Sequence, residues 1–255
     1  MKPILAGVMS LPRDVKLFIL FNLLANVGFG VFQLVFNLYL VELDFREDYI
    51  GAFNSVQTVF MALAGVTLGF MIGKLGIWRG LLSGMIIFFA ASYAVALVEQ
   101  PIALLALSAA FGFGLCYLFN FTMPFILEFC PPSERPRVAA ITFSMVSLAI
   151  TVGSLLGGFL PTIIHDLSGE VGDPSATDYR ATLMIGTTIA AMGLIPLFMM
   201  GEARRSRAAQ DLANAIIEES PSERKQVRSD LTVFVGAAGL LDLGGGFGVP
   251  FYNVF

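Results

Sequence analysis

The chain has 255 residues, 56% of them hydrophobic and only 13% charged, with a formal net charge of −4. Soluble domains carry about 25% charged residues, so the composition excludes a soluble globular protein and gives an all-α, polytopic membrane protein. The charges gather in short segments between apolar runs, which leaves no basic surface for a nucleic acid.

Residues 1–16 carry Lys2, Arg13 and Lys16 with Pro3 and Pro12, and read as a cytoplasmic amino terminus. The apolar run from Leu17 to Val41 holds no charge. A bilayer core takes ~20 helical residues to cross, so this run is a first transmembrane helix. It is too long for the h-region of a cleaved signal, about 7 to 15 residues, and is expected to stay in the mature protein. Its polar side chains Asn22, Asn26, Gln33 and Asn37 are spaced so that, at ~100° per residue, they share an arc of roughly 60°. Such a stripe serves either as interhelical glue or as the wall of a polar cavity.

A second span is expected over residues 49–73, with Gly65, Gly69 and Gly73 forming a small-residue packing face. A loop, residues 69–80, leads to a third span over 81–97. Glu99, Gln100 and Pro101 then turn the chain into a fourth span, 102–127, which contains Gly112, Gly114, Asn120 and Pro124. The proline predicts a kink, and Asn120 is a second cavity candidate. Cys116 and Cys130 lie ~21 Å apart along this helix, too far for a disulfide. The fifth span, 138–164, carries Gly153, Gly157 and Gly158 and is expected to end near Pro161. His165 falls in the outer loop that follows and reads as solvated, with no partner for a metal site. A sixth span, 181–200, is interrupted by Pro196. Together, residues 17–200 form a six-helix transmembrane bundle.

Residues 201–230 are the one long charged segment and read as a cytoplasmic linker. Residues 231–255 form a seventh span that echoes the first. At an offset of 216, Asp14, Phe18, Leu24, Gly28, Gly30 and Asn37 meet Asp230, Phe234, Leu240, Gly244, Gly246 and Asn253, while Asn26 meets Asp242. Long-period repeats with a site between them are a transporter device. Asp242 is placed to carry a coupling proton or to meet a cationic solute.

The proposed inner segments hold thirteen of the fifteen basic residues, leaving only Arg46 and Arg180 outside. Positive charge is retained in the cytoplasm, so the amino terminus is inside. No nucleophile, metal or cofactor motif is present, which argues against an enzyme.

Two loops resemble those of the major facilitator superfamily. In GFMIGKLGIWRG, residues 69–80, Gly69, Lys74, Gly76 and Arg79 are similar to the signature between that family's second and third helices, although Gly73 stands where the family has Asp. In FCPPSERPRVAA, residues 129–140, Arg135 and Arg137 resemble the basic end of its loop between helices four and five. The resemblance implies a secondary transporter of a small solute in the plasma membrane, working by alternating access and monomeric when complete. It implies a cavity made by Asn22, Asn26, Gln33, Asn37, Asn120, Asp242 and Asn253, and a cytoplasmic gate around residues 69–79. The seventh span then opens a second bundle, of which this chain is expected to lack the rest. The competing reading is a non-transporting, seven-span binding or assembly protein.

Overall fold

A computed structural model describes residues 11–169 and 172–200. Helix α1 spans Arg13–Glu42, α2 Glu47–Leu97, α3 Pro101–Asn120, α4 Thr122–Phe129, α5 Arg135–Ser168, α6 Ala176–Met192 and α7 Leu194–Met199. Among the described residues, over which six spans were expected, five helical rods are long and apolar enough to cross a membrane; α3 with α4, and α6 with α7, each count as one. The seventh expected span, the linker, Asp242 and Asn253 all lie outside the described residues.

The remaining difference has a local cause. The expected second and third spans are two helical limbs, taken together as α2, with one non-helical residue between them, Gly76 at φ 76° and ψ 165°. That conformation is open to glycine and strained for other residues. The two limbs, 47–75 and 77–97, nevertheless lie side by side along α3. On the first limb the Gln57 carbonyl abuts Gly112; on the second, Phe88 abuts Gly114 and Gly84 abuts the Tyr117 ring. The chain therefore doubles back at Gly76, and the five rods make one more pass than their number. The predicted loop of residues 69–80 has shrunk to a single residue.

The other breaks follow proline. Pro124 cannot donate to the Asn120 carbonyl, and the rod is broken at Phe121, three residues upstream. Pro196 likewise leaves the Met192 carbonyl without its donor, at the point where α6 gives way to α7. Pro161 was expected to end the fifth span and does not: α5 runs on to Ser168 and closes at Gly169 in the left-handed region, φ 72°.

Apolar side chains face both ways, as they must in lipid. Val66 and Leu167 are over 80% exposed, while an aromatic seam joins α1 to its neighbours. Phe18 stacks on Phe125 with centroids 3.8 Å apart, Phe29 meets Phe119 edge-on at 5.2 Å, and Phe32 stacks on Phe111 at 4.5 Å. On its other sides α1 meets α5 and α6 backbone to backbone. A Cβ on Gly153 would stand 2.0 Å from the Val27 carbonyl oxygen, and one on Gly28 2.3 Å from that of Gly186.

Gly69 and Gly73, expected to pack, meet nothing within 4 Å among these helices, and Gly65 makes only ordinary contact with Cys116. Gly153→Val should therefore lower the melting temperature of the detergent-solubilised protein, at a cost of about 1–3 kcal/mol or more for overpacking. Gly69→Ala should leave it unchanged or slightly raised, because the alanine meets open space and favours the helix.

Candidate functional site

The α1 stripe is real as a pattern, but its members differ in environment. Asn22 and Asn26 are 1% exposed and Asn37 7%, whereas Gln33 is exposed. The Asn22 amide nitrogen donates to the Phe18 carbonyl at 3.0 Å, and that of Asn26 to the Asn22 carbonyl at 2.8 Å. Each thus returns its donor to its own helix. Their carbonyl oxygens, Asn22 Oδ1 and Asn26 Oδ1, are buried and accept no hydrogen bond among the described residues. An unpaired buried acceptor costs about 1–3 kcal/mol, a cost that interhelical glue would have removed.

The neighbours of α1 show which way the stripe faces. Val27, Gly30, Val31 and Leu34 meet α5, Gly28 and Phe21 meet α6 and the residue after it, and the phenylalanines meet α3 and α4. At ~100° per residue these contacts occupy three sides of α1, and the stripe lies on the fourth, opposite α6. Asn120, one residue past Phe119, is exposed at the level of Phe29 across the seam. Its amide nitrogen turns back to the Cys116 carbonyl and sulfur, at 3.1 and 3.3 Å.

The expected gate residues flank the Gly76 break. Lys74 is exposed with its Nζ 4.4 Å from the centre of the Phe70 ring, and Arg79 is exposed. Sequence reasoning missed Trp78, whose indole nitrogen donates to the Leu197 carbonyl at 2.9 Å and anchors the second limb of α2 to α7. Arg135 closes the end of α4, donating from Nε to the Cys130 carbonyl at 3.0 Å and from its terminal nitrogen to the Leu127 carbonyl at 2.7 Å. Arg137, by contrast, is exposed.

At the other end of the bundle, Arg180 on α6 donates to the Tyr39 hydroxyl on α1 and pairs with Glu99, beyond α2. Tyr39 in turn donates to the Ala96 carbonyl at 3.2 Å. His165, expected in solvent, is in the last turn of α5 and 5% exposed, its Nδ1 3.0 Å from Asp178 Oδ2. Asp178 also accepts from the Ser175 backbone and hydroxyl, forming the capping box that starts α6 five residues before the expected span. The histidine is buried because two helix ends need a tie there, and its sequence position beside a polar loop gave no sign of that.

These features define a multi-pass integral membrane protein, a helical bundle with a polar stripe on its first helix. A family model described as Major Facilitator Superfamily matches residues 18–255. The chain belongs to that superfamily, whose members carry small solutes across membranes. No curated protein matches it.

The two arginines after α4 should separate cleanly. Arg135→Ala leaves the Leu127 and Cys130 carbonyls without their charged donor and should cost about 1–3 kcal/mol, read as a lower melting temperature. Arg137→Ala should leave that temperature unchanged.

Proposed function

We propose that the chain is a secondary active transporter that moves a small solute by alternating access, with α1 forming a wall of the solute path. What carries this reading is the polar stripe of α1, which holds two unpaired buried acceptors and faces the one side of the helix that α3, α4, α5 and α6 leave to other occupants. Buried polar groups without partners are expensive in a membrane and mark functional positions. Family membership supports transport as the activity.

In this reading the chain lies in the plasma membrane with its amino terminus in the cytoplasm, the orientation favoured by thirteen of its fifteen basic residues. Lys74 and Arg79 flank the inner gate, where Gly76 lets the chain reverse. Asp242 and Asn253 would face the α1 stripe from residues 231–255, and Asp242 would take the coupling proton. The transporter acts as a monomer.

Alternating access makes one position reachable from both sides in turn. Gln33→Cys in the full chain, in sealed vesicles, should react with a membrane-impermeant thiosulfonate added outside and, in a separate sample, with the same reagent loaded inside. Native Cys116 and Cys130 are buried, so the unsubstituted chain supplies the background. Reaction from one side only would contradict alternating access and favour a non-transporting membrane protein.

A further inference from the structure

Helix α5 carries a second polar stripe that the glycine pattern of its sequence obscures. Ser147 and Thr151 are exposed and Ser154 half-buried, and at ~100° per residue the three share an arc of roughly 60°. Leucine and valine occupy the next arc, with Leu148 and Val152 exposed.

The two helices have a fixed register. The Ser154 hydroxyl donates to the Gly30 carbonyl at 3.4 Å, a separation of 124 residues, and Gly158 meets Leu34 at the same separation. Gly153 lies on Val27 and Gly157 on Val31, so α1 and α5 run parallel. Carried down the helices, this register sets Asn22 within a residue of Ser147 and Asn26 within a residue of Thr151. The stripes also open on a common side. On α1 the polar arc lies ~110° round from the α5 contact, and on α5 the hydroxyl arc lies ~90° round from the α1 contact in the opposite sense, which for parallel helices is the same side.

We propose that Asn22, Asn26, Ser147 and Thr151 form one binding subsite, and that its ligand is an uncharged solute with several hydroxyl groups. The chemistry follows from what the walls offer. Two carbonyl oxygens lack donors among the described residues, so the ligand must donate; the Thr151 hydroxyl gives its proton to the Ser147 carbonyl at 2.9 Å and is left to accept, while the Ser147 hydroxyl can do both, so a ligand that donates and accepts gains most. Neither stripe contains Asp, Glu, Lys or Arg. A desolvated ion would therefore lack a counter-charge, and an apolar solute would leave the asparagines unpaired. The proposal rests on the transport reading for its route of entry, but the subsite is testable without it.

Ser147→Cys, Thr151→Cys, Leu148→Cys and Val152→Cys would be made one at a time in the full chain, and each exposed to a membrane-impermeant thiosulfonate. Cysteines at 147 and 151 should react and those at 148 and 152 should not. Sorbitol or glucose should slow the reaction at 151 by about tenfold or more, while choline and lactate should not. Equal reactivity at all four positions, or none at 147 and 151, overturns the subsite. Protection by choline or lactate, or by none of the four solutes, overturns the ligand class. Uptake of the protecting solute into vesicles distinguishes the two readings: protection without uptake leaves the subsite standing and contradicts transport.

Discussion

Close approach at glycine is the constraint on which the bundle depends. In a bilayer, side chains gain little by leaving lipid for one another, so helices associate through shape and hydrogen bonds. Helix α1 solves this differently on its different sides. Toward α5 and α6 it offers Gly30 and Gly28, met by Gly153 and Gly186, and backbones lie close enough for carbonyls to fill the place of a Cβ. Toward α3 and α4 it offers phenylalanines that fill a wider gap by stacking. With three sides so committed, its polar residues have only the fourth.

That division of labour ties packing to function. Because α5 is held on α1 at a single register, its hydroxyls are level with the α1 asparagines, and a wall built from two helices behaves as one surface. The far end is clamped separately, by Arg180 on Tyr39 and by His165 on Asp178, both of which pair groups from different helices. At the Gly76 end, Trp78 holds α2 to α7 and Arg135 closes α4. A bundle fastened at both ends can move as a rigid body, as the proposed alternating access would require of it.

Much of this was legible in the sequence, for physical reasons. Hydropathy gives spans because the backbone must be satisfied within each helix, and the α1 arc follows from spacing alone. Other features needed the third dimension. Spacing shows that Gly65, Gly69 and Gly73 share a face but not whether a helix lies on it, and among the described helices Gly69 and Gly73 meet none. The segment 69–80, with four glycines, Lys74 and Arg79, reads as a loop, yet one glycine at positive φ turns the chain and the rest stays helical. Ser147, Thr151 and Ser154 share an arc as readable as that of the asparagines. They passed unnoticed because serine and threonine sit easily in membrane helices, and only their level beside Asn22 and Asn26 gives them meaning. Arg135 reads from the sequence only as the basic end of the loop between helices four and five, and its hydrogen bonds to the Cys130 and Leu127 carbonyls show that it also caps α4.

The register between α1 and α5 carries the whole account, and disulfide trapping measures it directly. A cysteine at Gly158 would stand 3.7 Å from the Leu34 side chain. The pair Leu34→Cys with Gly158→Cys should cross-link under mild oxidation in native membranes, and Leu34→Cys with Ser154→Cys, about one turn out of step, should not. Cross-linking of the second pair in place of the first would shift the asparagines away from the hydroxyls and contradict the shared polar wall.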